Sequence, residues 1–496
     1  MKKYISREYY VLLTLVIFVS LFLVFLANRS FFVSDDFTML DLNFKNYKKA
    51  FLHVDLWWRP IKSIFYNFFN KNFYLNTNLI IISKIILHLF LTIIIFFYLI
   101  YIGQNKKNSV ILSFLFYISQ TSVLAVIGID TLDQILFTIF GILSFIFLDF
   151  FLKNKKDIKN LILSFFFYVL ALLAKESAII FFFINSYFVF YHSKINFLNK
   201  TKKILNYQDT IAIILLFLSF FLIYFLIRSH LGATWIPDFG ENRTNFAFKS
   251  NLIYNIIYYF FSIINPIDNT FVYFLFIKKY YLFLLIILII LLTVYYLIFS
   301  SLKFNHYLIL FLISSVPTIF LKHISELYTY VSVFFFILFI SDSLSEGNSI
   351  ILNKIKKLMI LILAIINLFS FSFKTYNMTY LSSLNLNFFN EMNNQKFNYD
   401  NKKIYFQNNQ SQNLNYSTFK ISNLNNLFPI YVLSSHIGYN LDNLVINLNT
   451  NDLKNIIIIS LVFENNFKYF NDFLAKPYII IENLDNLSQK KIFGYK

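Results

Sequence analysis

Residues 9–36 read YYVLLTLVIFVSLFLVFLANRSFFVSDD. An apolar run of the length that crosses a ~30 Å hydrocarbon core gives way to a polar step and then to two adjacent carboxylates, Asp35 and Asp36. The flank before the run begins Met-Lys-Lys and is basic, as in a signal peptide. The run is longer than a signal peptide's apolar region, however, and Ala27 lacks the small-residue pattern of a cleavage site. The stretch therefore reads as an uncleaved first span that sets Asp35 and Asp36 down at the membrane surface.

Comparable runs recur through the first three quarters of the chain, which is 58% hydrophobic and only 14% charged. With the N-terminus inside, residues 9–27 exit, 77–102 return, 109–127 exit and 134–152 return. Lys106 and Lys107, and the run KNKKDIK at 153–159, then mark inner loops, as the bias of lysine toward cytoplasmic loops requires. Residues 161–191 are too long for one upright helix, have basic loops on both sides and are interrupted by AKES, so they read as a hairpin of two short spans. Residues 210–227 exit, 280–300 return, 307–321 exit, 327–342 return and 358–372 exit, for about 11 spans. That sequence of crossings needs an even number from 252–278, where Pro266 suits a broken hairpin or an interfacial helix; one plain span there would invert everything downstream.

The net charge of +18 does not point to nucleic acid, because the lysines lie in short loops between apolar runs rather than on a basic, aromatic-interleaved soluble face. With no cysteine there is no disulfide framework, thiolate metal site or cysteine nucleophile. In the first outer loop, Ile61, Ile64, Phe65, Phe68 and Phe69 share one helical face, with Lys62, Ser63, Asn67, Asn70 and Lys71 on the other, as in an interfacial helix. The membrane domain covers 1–375. Residues 376–496 turn Asn-rich, and NKKIYFQN, FPIYVLSS, NLVINLN and LKNIIIISLVF are strand-length runs bounded by turn formers. They predict a small mixed α/β soluble domain on the outer side.

This topology gathers Asp35, Asp36, Arg59, Asp130, Asp133, Lys175, Glu176, Arg228, His323 and Glu326 at one membrane face from well-separated segments. Ionisable groups near hydrocarbon cost roughly 2.5–3.5 kcal/mol each on insertion scales, so such a collection suggests a shared polar cavity. Each member also has a plain structural role available. Asp35 and Asp36 suit a solvated loop, Asp130 and Asp133 suit the start of a helix near Leu132, and Lys175 and Glu176 suit a local pair. Arg228 suits a snorkelling span end, and His88, inside a span, suits a hydrogen-bonded packing position. No Ser-His-Asp order, HExxH or Gly-rich phosphate loop is present. A carboxylate beside apolar protein is pushed toward the range of a working base, and the planar fork of Arg suits phosphate. Base, second carboxylate and cations at one face fit transfer from a lipid-linked phosphosugar to a hydroxyl.

SDDF after the first span, WWRPIKSIFYNFFNKNFYLNTNLIIISKIILH, IGIDTLDQILFTIFGILSF, ALLAKESAIIFFF, LIRSHLG and SELYTY follow one another in an order that resembles the polytopic GT-C glycosyltransferases. The resemblance is to the protein O-mannosyltransferase group and its bacterial polyprenyl-phosphate-sugar relatives, and covers about residues 10–345. It implies an all-α GT-C-like membrane domain and an inverting transferase that takes a monosaccharide from a polyprenyl-phosphate donor. The acceptor would be a protein, lipid or glycan hydroxyl at the extracytoplasmic face of a bacterial cytoplasmic membrane. By resemblance the catalytic base falls on Asp35 or Asp36, and Arg59 approaches the lipid phosphate. Lys175 and Glu176 match the KE hairpin, Asp130 and Asp133 the second outer turn, Glu326 and Tyr328 the E-x-Y before a late span, and Arg228 joins them as a substrate-side cation. Some relatives with lipid-linked donors need a divalent cation such as magnesium or manganese and others do not; a metal here would fall on Asp35 or Asp36. The tetratricopeptide repeats of eukaryotic relatives are missing, and the Asn-rich tail matches no part of the group. A lipid-linked glycan polymerase or ligase, or a transporter or flippase of lipid-linked substrates, remains the alternative reading.

Overall fold

The computed structural model describes residues 7–27, 44–54, 57–73, 76–153, 157–198, 207–233, 306–319, 326–345 and 350–394, isolated positions between 256 and 293, and strands at 403–408, 456–462, 478–483 and 490–494. Helices dominate. They are α1 (Arg7–Ala27), α2 (Tyr47–Leu52), α3 (Pro60–Phe73), α4 (Thr77–Tyr101), α5 (Lys106–Tyr117), α6 (Gln120–Ile127), α7 (Leu132–Lys153) and α8 (Ile158–Ala174). A 3-10 turn (Glu176–Ile179) leads to α9 (Ile180–Leu198) and α10 (Tyr207–His230). After α11 (His306–Ile319), a second 3-10 turn (Glu326–Thr329) opens α12 (Tyr330–Ser345), and α13 runs Ile350–Asn394. Among the described residues six helices are long and apolar enough to cross a membrane, or seven when α5 and α6 are taken as one broken span. The helical part of the chain thus has the architecture of an all-α, multi-pass membrane domain.

Two compact units divide the chain: Met1–Phe25 with Asn43–Thr375, and Leu26–Leu42 with Tyr376–Lys496. In the second unit β1 (Lys403–Asn408), β2 (Ile456–Val462), β3 (Tyr478–Asn483) and β4 (Lys490–Gly494) form a sheet in that order, β1 parallel to β2 and the rest antiparallel. The runs FPIYVLSS and NLVINLN lie outside the described residues. So do segment 277–281 and most of 252–305, on which the parity of the later crossings turns.

Within the first unit the chain departs from the expected spans in two places. The run 109–127 is not one straight helix: it breaks at Ile118–Ser119, and the halves meet at 55°. The hydroxyls of SQTS compete for backbone partners, Ser122 Oγ donating to Ser119 O at 2.6 Å, and Gln120 Nε2 reaches the distant Asn265 O at 2.6 Å. The last span, expected at 358–372, belongs to a helix that continues to Asn394, past the shift to Asn-rich composition.

Helix α3 forms where its pattern predicts, started by Pro60 at the first helical position, where a missing N–H costs nothing. Ser63, Tyr66, Asn67, Phe69 and Asn70 are buried against the protein, while Phe68, Lys71, Asn72 and Phe73 are exposed.

The run 161–191 does fold back on itself. Ser144, midway along α7, pairs with Ser164 of α8 (Oγ–Oγ 3.3 Å) and accepts from Asn185 Nδ2 of α9 at 3.0 Å. Ser164 and Asn185 lie nearly equally far on either side of Lys175, so α8 and α9 meet α7 at one level and Lys175 sits at their turn. Gly141 makes the close approach possible, since a Cβ there would collide with the Phe181 ring.

The two ends of this bundle differ. At one end Tyr98 donates to Asp149 (3.1 Å), Lys153 pairs with Asp149 (2.8 Å), Gln104 donates to Ser341 O (2.8 Å) and Lys356 to Ser343 O (3.0 Å). Lys106, Lys107, Lys354 and Lys357 belong to the same end by sequence adjacency. The other end holds the start of α7, the α8–α9 turn, the end of α10 and the 3-10 turn before α12.

Candidate functional site

That second end is built around Arg59. The Trp57-Trp58-Arg59 segment is held from both sides: buried Trp58 donates its Nε1–H to Phe51 O at 3.0 Å and stacks on Tyr224 of α10 with ring centroids 5.6 Å apart. The Tyr224 hydroxyl donates to Trp58 O at 3.2 Å. Pro60 then starts α3, leaving Arg59 as the residue before the helix, aimed across to α7 and the α8–α9 turn.

Arg59 Nε and Nη2 donate to the two oxygens of Glu176 at 2.8 and 2.5 Å, and Nη1 donates to Asp133 Oδ2 at 2.8 Å. This is a fork-to-fork contact with one carboxylate and a third charge-assisted bond to another. Lys175 Nζ donates to Gln134 Oε1 at 3.0 Å and stands 3.4 Å from Asp133 Oδ2. Arg228 Nη1, at the end of α10, is 3.9 Å from Glu176 Oε2. The guanidinium carbons of Arg59 and Arg228 lie 5.0 and 5.1 Å from the Trp57 ring centre, within cation–π range. Gln134 Nε2 donates to Leu327 O at 2.8 Å, which ties the cluster to the 3-10 turn that Glu326 opens. Tyr328 in that turn feels Arg59, Glu176, Asp133 and Asp130 electrostatically.

Backbone detail sets these positions. Lys175 N closes α8 on Ala171 O, and its extended φ of −159° turns the chain so that Lys175 and Glu176 project into the bundle end. Asp133 lies in the first turn of α7, where the helix dipole favours a carboxylate. The turn before it is clamped: buried Lys84 donates to Gly128 O and, at 2.7 Å, to Thr131 Oγ1, and the Tyr66 hydroxyl donates to Ile129 O.

Side-chain exposure is 1% for Arg228, 2% for Asp133, 6% for Lys175 and about 15% for Arg59 and Glu176. Burial works to lower the pKa of Arg59, but Glu176 and Asp133 outweigh it and hold the guanidinium above its ordinary value. Burial likewise works to raise Glu176, and the Arg59 charge overrides it, keeping that carboxyl below its usual range. For Lys175 burial prevails over Asp133 and the ammonium is pulled below its ordinary value. Among the described residues the ion-paired set holds Arg59, Lys175 and Arg228 with Asp133 and Glu176. Lys62, one turn into α3, acts on Asp133 and Lys175 as a further positive charge. Guanidinium and ammonium groups held in a partly buried set are suited to an anionic group.

Arg59, Asp133, Lys175, Glu176 and Arg228 are therefore brought together from four separate segments, with Tyr328 and Asp130 beside them. Asp35, Asp36 and His323 lie outside the described residues, and Glu326 is placed by its backbone alone. Among the described residues no three His, Asp or Glu side chains form a group that could hold a metal ion; the two carboxylates expected to carry one are not among them. His88 is a hydrogen-bonded packing residue, with Nδ1 2.6 Å from the Tyr330 hydroxyl and Nε2 3.0 Å from Tyr117 O. Sequence reasoning passed over Trp57, Lys62, Gln134, Tyr224 and Lys84. Only Lys84 carried a signal, a lysine inside an otherwise apolar span. No family model matches the chain, and neither a curated protein nor a solved structure does.

Proposed function

We propose that this chain is a GT-C-type membrane glycosyltransferase that moves a monosaccharide from a polyprenyl-phosphate donor to an acceptor hydroxyl at the Arg59 end of the bundle. The observation that carries the reading is the convergence of Arg59, Asp133, Lys175, Glu176 and Arg228 into one cluster that gathers three cations at one end of the bundle. These are residues that the transferase resemblance had singled out from distant parts of the sequence.

In this reading the bond between the anomeric carbon and the phosphate oxygen breaks as the acceptor oxygen attacks from the opposite side. The acceptor's proton passes to Asp35 or Asp36, and polyprenyl phosphate departs with its negative charge. A guanidinium has five N–H bonds; two of Arg59's remain for that charge after three go to Glu176 and Asp133. The carboxylates act as positioning groups that aim it. Cations aimed at charge that develops in the transition state lower the barrier more than they tighten ground-state binding. Lysines in the loops of the opposite end support an extracytoplasmic position for the cluster, and the reading includes about 11 spans and an outer mixed α/β tail domain in a bacterial cytoplasmic membrane.

The test is transfer of a radiolabelled sugar from polyprenyl phosphate by membranes carrying wild type, Asp35→Asn or Asp36→Asn. Loss of the base should cut turnover ~10²–10⁴-fold in one variant while leaving donor binding intact. Near-normal transfer by both variants overturns the assignment of the base, and absence of transfer by wild type from any polyprenyl-phosphate sugar overturns the reading.

A further inference from the structure

The Arg59 end carries a second basic feature that the transfer reaction does not use. Short α2 lies along α3 and is firmly attached to it. Phe44 N donates to Asn67 Oδ1 at 2.7 Å, Lys71 Nζ donates to Lys45 O at 2.8 Å, and Trp58 Nε1 donates to Phe51 O at 3.0 Å. Asn46 caps α2 through the Lys49 N–H at 2.9 Å. The platform so fixed presents Lys45, Lys48 and Lys49 to the outside, and none of the three has an ion-pair partner among the described residues. Between and beside them stand exposed apolar side chains: Tyr47 at 47%, Phe51 at 38% and Leu52 at 45%.

Two features of this patch need a cause. Lysines in short loops gather at one side of a membrane protein, and here Lys106, Lys107, Lys354 and Lys357 do so at the opposite end. Lys45, just before α2, and Lys48 and Lys49 on it, all without an ion-pair partner among the described residues, work against that bias. Their apolar neighbours also do not suit a face turned wholly to water, whereas aromatic and aliphatic side chains beside lysines suit the depth of lipid headgroups.

We propose that α2 and the exposed edge of α3 form an interfacial docking platform for anionic lipids, with Lys45, Lys48 and Lys49 taking the phosphates of headgroups in the adjoining leaflet. The apolar residues between them enter the acyl boundary. The proposal goes beyond the transfer reaction, since it requires neither a sugar nor an acceptor, and it holds or fails independently of that reaction.

The platform lies against Trp58, and the chain has three tryptophans, so its lipid neighbours can be read optically. The full-length protein with Trp235→Phe is reconstituted in vesicles of phosphatidylcholine and phosphatidylglycerol, with bromines on the chains of one lipid or the other. Bromine quenching of Trp57 and Trp58 should show the brominated phosphatidylglycerol enriched about fivefold, the selectivity conferred by roughly one lysine's surface attraction. Lys45→Gln/Lys48→Gln/Lys49→Gln should bring the two lipids to parity, since it removes charge but no bond that holds α2. The corresponding Arg triple should keep the enrichment, and Lys106→Gln/Lys107→Gln/Lys354→Gln/Lys357→Gln should leave it unchanged. Equal quenching by both lipids in the wild-type platform overturns the proposal and leaves these lysines to a soluble anion. Enrichment that survives the Gln triple overturns it as well.

Discussion

A double-mutant cycle on Arg59 and Glu176 addresses the cluster most directly. In Arg59→Met the side chain keeps its volume but leaves Glu176 and Asp133 facing one another without their shared cation; Lys175, 3.4 Å from Asp133, and Arg228, 3.9 Å from Glu176, compensate only in part. Breaking a buried pair from one side costs about 3–5 kcal/mol, and this variant should fall in that range. Glu176→Gln is milder, because Arg59 keeps Asp133 at 2.8 Å and the amide oxygen can still accept one bond. Its cost should be about 2–3 kcal/mol, one charge-assisted bond lost and one weakened. Two charge-assisted bonds join the pair; at about 1.5–3 kcal/mol each, trimmed for partial exposure, they predict a coupling of about 2–4 kcal/mol. The assay is equilibrium unfolding of the purified chain in mixed micelles, followed by tryptophan emission, for wild type, both single variants and the double. If the single costs add to within about 0.5 kcal/mol in the double variant, the two side chains do not interact and the cluster as described is wrong.

Two further outcomes follow from the same geometry. Because Arg59 holds the Glu176 carboxyl below its ordinary 4.5, its stabilisation is complete above that pH and is lost as pH falls through the lower folded-state value; the stability gap between wild type and Glu176→Gln should therefore narrow on acidification below about 4.5 in the same unfolding assay, and a constant gap would count against the pairing. Gly141→Ala should destabilise by about 1–3 kcal/mol through overpacking on Phe181, and Phe181→Leu should recover most of the loss in thermal unfolding, whereas a neutral Gly141→Ala would contradict the α7–α9 contact.

Much of this arrangement is legible in the residues. The alternation of apolar runs with lysine loops announces the spans, and AKES inside 161–191 announces the turn, because a Lys-Glu pair cannot lie at the centre of a span without partners. Which charges meet is less accessible. Asp133 and Glu176 read equally well as a helix-start residue and a turn pair; only the path of α7 relative to the α8–α9 turn shows both as acceptors of one guanidinium. The bend in 109–127 escaped notice because SQTS is only mildly polar, and its effect depends on where the Gln120 side chain finds a carbonyl. For α3 the periodicity was plain but the direction was not. An amphipathic pattern says that two faces differ, and whether the polar one meets water or protein depends on what lies outside the chain.

The rung formed by Ser144, Ser164 and Asn185 has a consequence for biogenesis. Alone in lipid, α8 and α9 would each carry a polar group lacking a mate, and their connection would carry Lys175 and Glu176 without their ion-pair partners. The Ser164 hydroxyl and the Asn185 amide N–H both find their partner on Ser144 of α7, which leaves the ribosome first. The hairpin is thus fitted for insertion as a single piece onto a partner already in place, and its charged tip becomes soluble in the bundle only when Arg59 and Asp133 are there to receive it.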